Sequence, residues 1–179
     1  MIIGRNRFNI YLLPLLAAAL LCGCRTHKDP EGDKKKEMAT FRVHLEATAD
    51  DAFGGAKAQI YRAAPVELTI EKDPFLTEAQ VASAQVVNAL GGFDLRIQLN
   101  TEGTWLLQSY SASHPGKHYA IFSQFGEKSN KGRWLAAPMF GRVMSDGVLQ
   151  FTPDASHEEA EEIALGVNNM AKKFENSRK

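Results

Sequence analysis

Phe41, Val43 and Leu45 alternate with Arg42, His44 and Glu46, a period of two that predicts a strand with one buried and one wet face. Val66, Leu68 and Ile70 alternate with Glu67 and Thr69 in the same way. The clearest alternation sets Phe93, Leu95, Ile97 and Leu99 against Asp94, Arg96 and Gln98. AKAQIYR (56–62), KHYAIFSQF (117–125), RWLAAPMF (133–140) and GVLQFT (147–152) are further strand candidates. Half-wet strands of this kind belong to antiparallel or mixed sheets whose helices cover one side.

Three helices are signposted between the strands. Thr77 and Gln80 have capping-box spacing and predict a short helix through Ala84. Asn100 or Thr101 can cap a second, carrying Trp105, Leu106, Leu107 and Tyr110, which must stop before Pro115-Gly116. Ser156 with Glu159 opens the third, where Ala160, Ile163, Ala164, Val167, Met170 and Ala171 form an apolar stripe at helical spacing. Its early glutamates and late lysines also suit the helix dipole. NALGG (88–92) reads as a turn. These elements predict one α+β domain over residues 39–174: a single mixed or mostly antiparallel β-sheet with two or three helices packed on one face, then a polar tail at 175–179. From Met38 onward about 140 residues remain, enough for one core.

The front of the chain has a different pattern. Arg5 and Arg7 precede an apolar run from Phe8 to Leu21, the plan of a signal peptide. The run is shorter than the roughly 20 apolar residues of a membrane span, and Pro14 interrupts it. It ends in Leu21-Cys22-Gly23-Cys24, which resembles the bacterial lipoprotein lipobox. A thiol must carry the lipid and a small residue must precede it. Gly23 meets that requirement for Cys24, whereas Leu21 does not for Cys22. The expectation is a signal at 1–23, lipidation at Cys24, and anchoring of the mature protein to a membrane through acyl chains. An ordinary secretory signal with two incidental cysteines is the plainer alternative. Arg25, where lipoproteins retained in the inner membrane of enteric bacteria carry Asp, favours the outer membrane over the inner. Cleavage before Cys24 leaves no further cysteine and so no internal disulfide. Residues 24–38 are dense in charge, with Pro30 and Gly32, and read as a charged, flexible tether. Lys34-Lys35-Lys36 is flanked by Asp33 and Glu37, so a solvated spacer is preferred to a lipid-binding patch.

Charge and side-chain chemistry then narrow the function classes. The chain carries 21 basic and 21 acidic residues; without Arg5 and Arg7 the balance is about −2. That leaves no electrostatic footprint for nucleic acid. His114 and His118 are four apart, but Pro115-Gly116 between them rules out the helix that would align them on a metal. SYSAS (109–113) places hydroxyls near His114 without a nucleophile elbow. Glu158, Glu159, Glu161 and Glu162 lie where a helix N-terminus favours acids anyway. No catalytic set, metal site or cofactor is expected, and binding is favoured over an enzyme. Trp134, Phe140 and Phe125 are the candidate partner-binding residues, in or near strands that can border a groove for an extended peptide. For Phe122 and Trp134 a place in the core is the preferred reading.

From Pro65 onward the order of signals resembles the periplasmic first domain of SecD, the protein-export membrane protein, and specifically its head subdomain. VELTIEKDPFLTEAQVASAQV (66–86) has the family's strand, acidic-Pro step, Leu-Thr and Ala-rich exit. Glu102-Gly103 and Gly116-Lys117 stand at the family's spacing, HYAIFS (118–123) at its Leu-Ala-Ile-Val strand, and LAAPMF (135–140) at its Ser-Ala-Pro strand. GVLQFTPDASHEEAEEIALGV (147–167) is similar to its Gly-led strand, Phe-Thr turn and Glu-Ala helix. The resemblance covers 65–172. It departs in the longer polar loop QFGEKSNKGR (124–133) and in Asp146-Gly147, where the family has paired glycines. It implies a SecD-head-like fold and, as partners, unfolded or translocating polypeptide or the Sec machinery. It carries no proton-driven work, since the family's membrane helices have no counterpart in this sequence. A structural or assembly lipoprotein of the envelope, unrelated to export, is the alternative function.

Overall fold

The structure, a computed structural model, describes residues 37–48, 55–60, 65–126 and 129–178. The chain divides into residues 1–30 and 31–179, and every described residue belongs to the second part. The expected signal segment 1–23, the expected lipidation site Cys24 and the expected tether up to residue 36 lie outside the described residues.

The domain is α+β, as its patterning predicts, but the single sheet resolves into three antiparallel ones. In the first, β1 (Arg42–Leu45) and β7 (Lys131–Ala136) flank β6 (Tyr119–Phe125). In the second, β4 (Val81–Ala89) and β8 (Val148–Phe151) flank β5 (Gly92–Leu99). The third is a hairpin of β2 (Ala56–Ile60) and β3 (Val66–Ile70). The physical reason is shared burial. Phe41, Val43, Ile121 and Phe125 from the first sheet meet Leu95, Ile97, Leu149 and Phe151 from the second in one core, closed by Ile163 and Val167. Two half-apolar sheets can bury each other's apolar faces, which one open sheet cannot do alone.

Two helices complete the domain: α1 (Thr101–Ser113) and α2 (His157–Ser177). Asn100 caps α1 by accepting from Gly103 N at 2.9 Å. Only Gly103, Leu107 and Ser111 of α1 are buried, and Trp105 stands 69% exposed. Ser156 and Glu159 form the predicted capping box of α2, with hydrogen bonds of 3.1 and 3.2 Å. The stretch expected as a polar tail continues α2 to Ser177.

The helix predicted through Ala84 is corrected. The Thr77–Gln80 capping box forms, but it opens only a 3-10 turn, Glu78–Gln80. From Val81 the chain is extended as β4, paired with β5 from Val81↔Leu99 to Ala89↔Gly92. Ala84 faces the core beside Ile97 and Leu95, and three valines in this stretch favour extended backbone. The turn expected at NALGG closes this hairpin over Leu90 and Gly91, whose φ of +83° suits glycine.

The domain begins two residues before its predicted start. Asn169 Nδ2 on α2 donates to Glu37 O at 2.8 Å. Met38 and Ala39 cross α2 at Gly166, where a Cβ would lie 2.6 Å from Ala39 N. Thr40 then joins β6 through Thr40 N to Gln124 O at 2.9 Å and Ser123 Oγ to Thr40 O at 2.8 Å.

Candidate functional site

Among the described residues, β7 pairs with β6 alone and β8 with β5 alone, so each presents an edge. Edges of this kind hold main-chain donors and acceptors that another strand can use. At one end the two edges are pinned together. Asp154 N donates to Leu135 O at 2.7 Å, and Arg133 Nη1 donates to Asp154 O at 3.1 Å. The same guanidinium makes a two-point contact with the Glu159 carboxylate at 2.7 and 3.2 Å. Burial alone would raise the Glu159 pKa; the Ser156 N–H and Arg133 outweigh it and hold the carboxylate below its ordinary value.

Beyond the pin the strands part, because Pro138 and its neighbours turn to pair with the start of β6. Tyr119 N donates to Pro138 O, and Phe140 N to Lys117 O, both at 2.9 Å. The gap is a cleft of about 360 Å³. Ala136, Ala137 and Pro138 line one wall, Gln150, Phe151 and Thr152 the other, and Ile60 and Val66 of the β2–β3 hairpin close the side. The lining is mostly apolar, and Val66 remains 44% exposed. Met139, next to Pro138, is 55% exposed.

One wall has a fixed polarity. Asp94 on β5 accepts from Gln150 Nε2 at 3.0 Å and from Thr152 Oγ1 at 2.7 Å. These two hydrogen bonds hold its carboxyl below the usual carboxylate range. An ionised carboxylate only accepts, so the Gln150 carboxamide must turn its nitrogen to Asp94 and its oxygen away.

The residues expected to meet a partner separate sharply. Phe125 and Phe140, expected at a groove, are instead core, 0% and 1% exposed. Phe125 lies on the inward face of the central strand β6, with Lys131 and Arg133 over its ring at 5.6 and 5.9 Å. Phe140 stacks on Tyr119 at 4.5 Å, and burial raises the Tyr119 phenol pKa to about 12. Trp134 is half-buried on β7 and does not line the cleft. It packs on Phe122 at 5.0 Å and edge-on to His44 at 5.4 Å, bracing the β2–β3 hairpin with Ala58, Ile70 and Ala120.

The cleft walls escaped sequence reasoning. Ala136-Ala137-Pro138 was legible as a strand end, and a run of small residues closed by Pro is the only local signal it gave. His44, on a face expected to be wet, is 8% exposed; the hairpin and Trp134 cover it, and nothing local to β1 announces that. His114 and His118 do not converge: His114 Nδ1 lies 3.1 Å from Tyr110 O, and His118 Nδ1 3.1 Å from Glu46 Oε2. Among the described residues no cluster of three His, Cys, Asp or Glu side chains is placed to hold a metal.

No protein-family model matches the chain. No curated protein matches it either. Solved structures do. A structure of SecDF, described as a membrane component that enhances protein export, superposes with a TM-score of 0.54 at 18% identity, over 74% of this chain and 63% of that one. The fold is SecDF-like. SecDF in a super-membrane-facing form gives a TM-score of 0.48 at 17% identity, over 74% of this chain and 28% of that one. The translocon-associated SecDF of Thermus thermophilus gives 0.40 at 15% identity, over 75% and 29%. This chain therefore spans less than two thirds of the first and under a third of the other two. Among the described residues no helix is long and apolar enough to cross a membrane.

Proposed function

We propose that this protein is a lipid-anchored, periplasm-facing protein of the cell envelope that binds extended polypeptide in the cleft between β7 and β8, as an accessory of protein export. It does so without chemistry of its own. The observation that carries the reading is the cleft itself: two strand edges, apolar walls and one oriented polar group. Extended peptides are held at sheet edges by main-chain hydrogen bonds, with pockets selecting side chains. Here the cleft offers room for an apolar side chain, and the Gln150 oxygen is set to accept from a main-chain N–H. The SecDF-like fold adds the export context, and the head subdomain of SecD is the part that the sequence resembles. Cys24 supplies the anchor, with the outer membrane favoured over the inner.

The test uses the full-length protein in cells. A photo-crosslinking residue at Ala137 is expected to capture secreted chains in transit, and one at exposed Gln108 of α1 to capture few. Ala137→Trp fills the cleft and is expected to weaken binding of an unfolded polypeptide by tenfold or more, about 1.4 kcal/mol, with Tm unchanged. Capture of cell-wall or lipid-handling proteins at Ala137, whatever the secretion load, would replace the export reading with an assembly role. Cys24→Ser is expected to move the protein from the membrane fraction to the soluble one; unchanged fractionation removes the anchor.

A further inference from the structure

The side of the cleft formed by Ile60 and Val66 belongs to an element with a thin seat. Among the described residues the β2–β3 hairpin pairs within itself, and its main-chain hydrogen bonds to the strands and ends of the first sheet lie at its base. There Ala47 N donates to Thr69 O at 2.9 Å, Glu71 N donates to Leu45 O at 2.8 Å, and Glu46 and Ile70 form one bridge. Its packing is modest: Ala58 and Ile70 on Ala120, with Ala56, Leu68 and Trp134 partly buried against them, and Ile60 buried beside the cleft. So little apolar area holds an element weakly, and such elements open locally before the rest of a domain.

His44 sits at that base. Its Nδ1 lies 2.9 Å from Glu71 O, the residue that follows β3. A carbonyl oxygen only accepts, so Nδ1 carries the hydrogen and Nε2 is the site that gains a proton. The ring meets Trp134 edge-on at 5.4 Å. We propose that His44 is a pH-responsive latch: its protonation in mildly acidic surroundings loosens the β2–β3 hairpin from the first sheet, and with it the Ile60–Val66 wall of the cleft.

The electrostatics around the ring favour the neutral form. Burial is the largest influence and lowers the His44 pKa from 6.5; Arg42 on the same strand acts in the same direction, while the Glu71 carbonyl and Asp73 oppose it. Ala120 opposite on β6 and Trp134 on β7 bring no charge. On the hairpin, Lys57 and Glu67 pair with each other at 2.9 Å. Glu46 is engaged by His118, at 2.8 Å through the backbone N–H and 3.1 Å through the ring. A proton therefore binds an opened, solvated His44 more readily than the latched one. By linkage, lowering the pH shifts the population toward the opened hairpin. The window opens at 6.5 and ends at the lowered value of the latched state. Within it the ratio of open to closed rises by up to about tenfold per pH unit.

The opening step rests on the burial of His44 beneath the hairpin and the lowered pKa that burial causes, and its effect on polypeptide binding rests on the function proposed above. The experiment separates the two. Full-length protein carrying Trp105→Phe keeps Trp134 as its one tryptophan. Amide exchange of residues 56–60 and 66–70, corrected for the intrinsic pH dependence of exchange, is followed from pH 8 to pH 5 together with indole emission. Hairpin protection is expected to fall as the pH drops below 6.5, by at most about tenfold per unit, while that of β4 and β5 stays constant, and the Trp134 emission to change over the same interval. His44→Gln keeps a donor for Glu71 O without a titrating group and is expected to abolish both changes; His118→Gln is expected to leave them. If His44→Gln does not fold, the imidazole is titrated by NMR in the unaltered sequence, and a midpoint at or above 6.5 overturns the latch. Hairpin protection that is flat with pH, or a response that survives His44→Gln, also overturns it. A latch that works in a protein with no affinity for polypeptide would sink the binding reading alone.

Discussion

Gly166 shows how one residue position can invert a general rule. It lies inside α2, where Ala is normally preferred to Gly by about 1 kcal/mol. A Cβ there would stand 2.6 Å from Ala39 N, 2.7 Å from Ala39 Cβ and 2.8 Å from Met38 C. Those atoms belong to the backbone segment that brings the chain into the domain, tied on both sides by Asn169 and by Gln124. They cannot swing away as a side-chain tip would. Overpacking of this kind costs roughly 1–3 kcal/mol, which exceeds the propensity gain. Gly166→Ala is therefore expected to lower stability by about 1 kcal/mol or more in urea unfolding, and truncation of residues 1–39 to reverse the sign by removing what the methyl strikes.

The elements differ in how they treat their exposed edges. β7 and β8 leave theirs open to the cleft, but β4 is covered at Ala84. Asn168 on α2 accepts from Ala84 N and donates to Ala84 O, both at 2.8 Å, as a neighbouring strand would. Asn168→Leu keeps the bulk and removes both bonds. A fall in stability of about 2–4 kcal/mol is expected, since two hydrogen bonds go and two main-chain groups lose their partner. Concentration-dependent association, read by sedimentation, is expected to accompany it as the edge becomes available. The same interplay explains what the sequence could and could not tell. Alternation in β1, β3 and β5 is local and was legible, and β6 and β8 were legible as strand candidates, as were the caps at Asn100 and Ser156. Thr77 and Gln80 are as good a capping box as Ser156 and Glu159, yet a helix follows only the second. The first is overridden by pairing with β5, eighteen residues away at Leu99, which a local signal does not carry. The cleft was illegible for a related reason: its walls come from three sheets, and none of its residues is unusual by itself. Aromatic residues drew attention to Phe125 and Phe140, but aromatics of that size serve the core as readily as a surface.

At the scale of the molecule, the shifted ionisations predict a stability profile with three limbs, each with its own sign. His44 has a folded pKa below its unfolded 6.5, so the stability it permits is complete above 6.5 and is lost as the pH falls through the folded value. Glu46 and Glu159 lie below 4.5. In each, burial pushes upward and is outweighed by hydrogen bonds and charge, from His118 for Glu46 and from Ser156 and Arg133 for Glu159. Their contribution is present above 4.5 and is lost only as the pH falls further, through their own lowered values. Tyr119 is shifted the other way by burial, from 10 to about 12. Its contribution is complete below 10 and is lost as the pH climbs through about 12. Thermal unfolding between pH 3 and pH 11 is therefore expected to show a Tm plateau from about 7 to 10, falling on the acid side in two steps. The first step belongs to the hairpin and disappears in His44→Gln, while the second persists there. Glu159→Gln does the reverse: it lowers the plateau by removing a charged partner of Arg133 and shrinks the second step. A single acid transition unaffected by His44→Gln would mean that the hairpin and the two larger sheets unfold as one unit. The thin seat described for β2–β3 would then be no weaker than the core it leans on.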